Sequence, residues 1–130
     1  MVIDYTEVED RVYEDLASYA LPENANDLHY DEDYLWNGIW RTLKLKYPST
    51  KYHVYENFDG LNYHHDEKSA WVKTSITIRC QECINYTPVI DVDNQALRID
   101  EVRSTDVERA IKRSLIKASQ MHGLWQDLVV

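Results

Sequence analysis

Apolar residues toward the C-terminus recur three and four positions apart: Val107, Ala110, Ile111, Leu115, Ala118 and Met121. That spacing gathers them on one side of an amphipathic helix and predicts a helix over residues 104–124, opening at a Ser104/Thr105 cap. Two more helices are predicted upstream. Residues 4–20 carry a narrow stripe of Val8, Val12, Leu16 and Tyr19, stopped by Pro22. From about Tyr34 to Lys46 the apolar residues are Leu35, Trp36, Ile39, Trp40 and Leu43, with Asp33 as N-cap; Tyr47-Pro48 ends this helix, because a residue before proline is driven out of the helical region. The polar stretch ENANDLHYDED between the two helices reads as a linker.

Alternation with period two marks the middle of the chain. In residues 69–80, Val72, Thr74, Ile76 and Ile78 face one way, and Lys73, Ser75, Thr77 and Arg79 the other. Residues 50–57 alternate similarly before an Asp59-Gly60 turn signal. A turn near Gln81 leads into a third strand at 83–90, and the loop DVDNQALRIDEVRS follows. These elements predict an α+β domain: a three-stranded antiparallel meander packed against helices, a β-β-β-α core, with an acidic N-terminal helical extension.

The chain has 130 residues, 44% of them hydrophobic, with only three glycines and three prolines, which fits one folded domain better than a loop-rich or disordered protein. No apolar run approaches the ~20 residues of a membrane span, and no basic, apolar leader opens the chain, so the expected setting is cytoplasmic, without a membrane partner. Net charge is −9. Residues 1–33 hold eleven carboxylates and one cation, whereas residues 34–130 hold twelve carboxylates and thirteen cations. The acidity belongs to the extension, 1–33, and the core domain, 34–130, is near neutral with its cations clustered.

Arg109, Lys112, Arg113 and Lys117 line the last helix away from its apolar stripe. Such a row can hold a phosphate backbone or can simply be a solvated helix face. Lys73 and Arg79, with Ser75 and Thr77, give the central strand a donor-rich face that is either a phosphate contact or an ordinary solvated sheet. Were that face to look into the same cleft as the helix cations, the two would form a basic groove. Lys44, Lys46 and Lys51 flank the Tyr-Pro turn and could extend the track, though keeping that surface soluble is the simpler role.

The sequence carries no recognisable catalytic motif. No G-x-x-x-x-G-K-S/T cradle is present, no Ser, Cys or His sits in a known nucleophile motif, and no carboxylate spacing suggests a metal-dependent nuclease. The expectation is a protein that is not an enzyme and takes no cofactor. Asp91 and Asp93 read as a polar loop rather than a Mg²⁺ site. Zinc at Cys80 and Cys83 would need His64 and His65 at tetrahedral distance, and a lone C-x-x-C on a hairpin is a weak signal for it. Trp36 and Trp40, four apart on one helix face, read as core. Tyr52, Tyr55, Tyr63 and Trp71 lie in or near strands, where one or two could stack on bases.

Four pieces of the chain, in order, resemble the phage single-strand annealing proteins of the Sak type, relatives of annealing mediators with a β-β-β-α core. They are LWNGIWRTLKLKYPSTKYHVY, WVKTSITI, TPVIDVDNQAL and DVERAIKRSLIKASQMHGL, spread over about residues 34–124. The resemblance implies ATP-independent binding of single-stranded DNA and annealing of complementary strands in phage recombination by a homo-oligomeric ring or filament. It also implies a host-cell cytoplasmic setting, with a phage exonuclease or host single-strand-binding protein as candidate partners. By position, Arg109, Lys112 and Arg113 would contact the DNA backbone from the groove helix, which also carries Lys117 of the DNA-binding set, with Lys73 and Arg79 as weaker candidates from the sheet; Glu108 stands where relatives often carry a further cation. The alternatives are a protective single-strand binder, or an interaction protein whose acidic residues 1–33 bind a basic partner or fold over the groove in imitation of DNA.

Overall fold

The computed structural model describes residues 5–21, 32–91 and 93–130, with side chains of the first helix described from Arg11 onward. Helices α1 (Tyr5–Ala17) and α2 (Glu32–Lys46) precede strands β1 (Lys51–Val54), β2 (His64–His65), β3 (Ala70–Ile78) and β4 (Gln81–Pro88). A 3₁₀ turn at Ile99–Glu101 leads into α3 (Ser104–Met121). The class is α+β, as the periodicities predict. The linker reading for residues 23–33 falls mostly outside the described residues, and its end, Glu32 and Asp33, is the first turn of α2. Asp33 is therefore inside the helix, where both carboxylates face its positive dipole end.

The sheet is antiparallel and centred on β3, with β1 and the two-residue β2 along one edge and β4 along the other. Without the short β2, which too few residues form for alternation to reveal, the order is the expected meander. Ile78 and Gln81 close the β3–β4 hairpin around Arg79 and Cys80, both at positive φ (48° and 70°). Two residues in that conformation form the tight turn whose twist matches the strands. Arg79 thus belongs to the turn rather than to the strand face.

Val72, Thr74, Ile76 and Ile78 are buried beneath α3, as the alternation requires. Ser75, assigned to the opposite face, is buried too, and its hydroxyl donates to Glu82 Oε2 at 2.7 Å on the neighbouring strand. The α3–sheet contact contains a buried polar cluster. The Thr74 and Ser114 hydroxyls lie 2.7 Å apart, Ser114 also donates to the Asn85 carbonyl at 3.0 Å, and His122 Nε2 lies 2.7 Å from the Ile76 carbonyl oxygen.

Helix α3 is buried on more than one side. Val107, Ala110, Ile111, Leu115 and Ala118 are in the core as predicted, but Met121 is 49% exposed. Ile116, half a helical revolution from Val107, is fully buried. The reason is the rest of the helical layer: α2 packs on α3, and Val12 and Leu16 of α1 join the same buried cluster. Gly123, at φ 107°, follows α3 where the Tyr13 carbonyl oxygen would lie 2.7 Å from any added Cβ, so only glycine permits that approach. Tyr47 ties α2 to α1 by donating to Asp15 Oδ2 at 2.6 Å; burial, reinforced by that bond, pushes its phenol up to about 12.

Candidate nucleic-acid interface

The N-terminal half of α3 lies along a furrow made of three adjoining clefts. One, of about 390 Å³, is lined by Trp36, Tyr52, Val54, Ile111 and Leu115 and shares Asp33, Glu108 and Lys112 with the next. The middle one, of about 290 Å³, adds Glu32, Thr105 and Arg109. The third, of about 390 Å³, continues past Arg109 to Arg103, Asp91 and Glu101. The helix begins one residue before the predicted Ser104/Thr105 cap: Arg103 is the N-cap, and its backbone N–H donates to Asp106 Oδ2 at 3.2 Å.

Three of the four cations predicted on α3 are engaged by carboxylates. Arg113 Nε donates to Glu32 Oε1 at 2.8 Å, Lys112 Nζ lies 3.8 Å from Asp33 Oδ1, and Arg109 lies 3.5 Å from Asp106 Oδ1. All three side chains are only 21–32% exposed. Lys117, further toward the C-terminal end, is half-buried. The furrow is lined by Glu32, Asp33, Asp91, Glu101, Asp106 and Glu108 against Arg103, Arg109 and Lys112, so its carboxylates outnumber its cations. Arg113 and Lys112 are thus held in ion pairs with the first turn of α2, and Arg109 in one with α3 itself.

The remaining candidates lie elsewhere. Lys73 alternates with Val72 and Thr74, which face α3, and so projects from the opposite face of the sheet; it does not share a cleft with Arg109, Lys112 and Arg113. Its ammonium sits 4.2 Å from the Tyr55 ring centroid and 5.7 Å from that of Tyr86. The Arg79 guanidinium lies 5.0 Å from the Tyr47 ring centroid, just past the C-terminal end of α2, whereas Glu32 and Asp33 mark the other end of that 15-residue helix, about 20 Å away. Lys44 lies 5.5 Å from the Trp40 ring centroid and Lys46 lies 5.2 Å from that of Tyr19.

Trp36 is buried as predicted, and Trp40 half-buried; both meet the exposed Tyr52 edge-on, at 5.8 and 5.1 Å between centroids. Asp91 Oδ1 accepts from the backbone N–H groups of Asp93 and Gln95, the geometry of a polar turn. Among the described residues no group of three or more His, Cys, Asp or Glu side chains is placed to hold a metal ion, and neither Cys80 nor Cys83 is in a disulfide. Arg103 and Glu32 escaped the sequence reading. Arg103 stands outside the helical period, and Glu32 gains its meaning from a partner distant in the chain.

A family model, Sak Single Strand Annealing Protein, matches residues 11–128. The chain belongs to the Sak single-strand annealing protein family. The match takes in most of α1 as well as the sheet, α2 and α3, so in this Sak-family chain the buried Val12 and Leu16 fall inside the family region. It identifies the Sak-family chain as a single-strand annealing protein acting in DNA recombination. No curated protein and no solved structure matches it. Among the described residues of the Sak-family chain, no helix is long and apolar enough to cross a membrane.

Proposed function

We propose that the protein binds single-stranded DNA and pairs complementary strands without nucleotide hydrolysis, acting as a homo-oligomer in phage recombination in the host cytoplasm. The family match over residues 11–128 is the observation that carries this reading. The phosphate backbone follows α3, contacted by Arg109, Lys112, Arg113 and Lys117, with Arg103 extending the track. Loading requires DNA phosphates to displace the Glu32 and Asp33 carboxylates from Arg113 and Lys112. Each exchange swaps one anion for another at a partly buried cation and releases condensed counterions, so binding is favoured at low salt. Among the described residues β1 and β4 are outer strands of the sheet, and their outer edges are the candidate surfaces for extending it between protomers.

The experiment is annealing of two complementary labelled oligonucleotides, followed by fluorescence quenching, with full-length protein and no nucleotide. Accelerated pairing is expected. Bound single strands without acceleration would instead indicate a protective binder, and absence of binding would overturn the reading.

A further inference from the structure

The face of the sheet turned away from α3 presents Lys51 and Tyr55 near β1, Trp71 and Lys73 on β3, and Glu82 and Tyr86 on β4. The helix contacts described above go to the other face, through Thr74, Ile76 and Tyr52. Here Lys73 lies between two tyrosine rings. Tyr55 is held in place because its hydroxyl donates to Glu82 Oε2 at 2.6 Å, whereas the Tyr86 ring is 59% exposed. The hydrogen bonds from Tyr55 and Ser75 also hold the Glu82 carboxyl below its usual range, so it stays ionised. Even so, two lysines against one glutamate leave this face positive in a chain of net charge −9, the reverse of the acid-rich furrow along α3.

A cation beside an exposed, sequence-indifferent ring suits a nucleotide at both of its ends: the base takes the π-face and the phosphate takes the ammonium. We infer that this sheet face is a second single-strand contact surface, with a base stacked on Tyr86 and phosphates on Lys73 and Lys51. It rests on the reading that the chain binds single-stranded DNA, but not on the α3 track.

The test measures binding of a fluorescent oligothymidylate by anisotropy over a salt series, using full-length protein and its Tyr86→Ala, Tyr86→Phe and Lys73→Gln variants. Light scattering on each records the assembly size. Tyr86→Ala is expected to weaken binding at least about fivefold with an unchanged salt slope, and Tyr86→Phe to restore it. Lys73→Gln is expected to lower the slope by roughly 0.7, one lost phosphate contact. Wild-type affinity and slope in both Tyr86→Ala and Lys73→Gln would overturn the inference while leaving strand binding elsewhere intact. A changed assembly size with unchanged affinity per protomer would overturn it in favour of contact with a second copy of this chain. No binding by the wild-type protein would overturn both this inference and the proposed function.

Discussion

Arg113 Nε donates a hydrogen bond to Glu32 Oε1 across 2.8 Å, joining residues 81 apart in the chain. Beside it, Asp33 neutralises Lys112, so the acidic first turn of α2 sits where a phosphate backbone would lie if α3 is the DNA track. A Glu32→Gln, Asp33→Asn variant is therefore expected to bind single-stranded DNA about three- to tenfold more tightly at low salt, with the gain shrinking as salt rises. Titration of a labelled oligonucleotide at two ionic strengths checks this; unchanged affinity would mean that the pairs are structural only. Removing residues 1–30 is a poorer test, because it also takes Val12 and Leu16 out of the core.

The complementary change is Arg109→Gln with Arg113→Gln. Loss of two phosphate contacts is expected to lower the salt slope of binding by roughly 1.4, with similar weakening for every sequence tested. A variant with the wild-type slope would exclude these side chains from the DNA track.

Ser114 and Thr74 form the polar heart of the α3–sheet contact, and Ser114 also satisfies the Asn85 carbonyl. Ser114→Ala takes this donor from the Asn85 carbonyl and the hydroxyl partner from the buried Thr74, and is expected to cost about 1–3 kcal/mol in urea unfolding. Adding Thr74→Val is expected to cost less than the two single changes summed, since the hydroxyls share one network. Strict additivity would show that they do not interact.

His122 is buried against the Ile76 carbonyl, and burial lowers its pKa below the usual 6.5. The unfolded chain consequently takes up a proton before the folded one does. Stability is fully present above about pH 6.5 and is lost as pH falls toward the folded-state value, by at most about 1.4 kcal/mol per pH unit from this group. In His122→Gln this component is expected to vanish, giving a flatter dependence of the urea midpoint between pH 7 and 5. An unchanged pH profile would place the titration elsewhere.

The positions of the helices and longer strands were legible because each rests on a local period. The 3.6 repeat of Val107, Ala110, Ile111 and Leu115, and the period-two run from Val72 to Ile78, depend only on near neighbours. Terminal details were less so: Asp33 lies inside α2 rather than capping it, and Arg79 bends into the hairpin turn, because ends are settled by hydrogen bonds and φ angles that periodicity does not encode. β2 passed unseen, being two residues held only by pairing with β3.

The sequence by itself determined which residues share a face: the cations of α3 on one side, Lys73 opposite Val72 and Thr74, and the order of elements that marks the family. Only the tertiary structure decided what each face meets. Packing α3 on the Thr74 side of the sheet separated Lys73 from Arg109, and docking the start of α2 beside α3 brought Glu32 and Asp33 onto Arg113 and Lys112. Periodicity is a property of a few consecutive residues, whereas these contacts depend on which surfaces exclude water together across the whole chain.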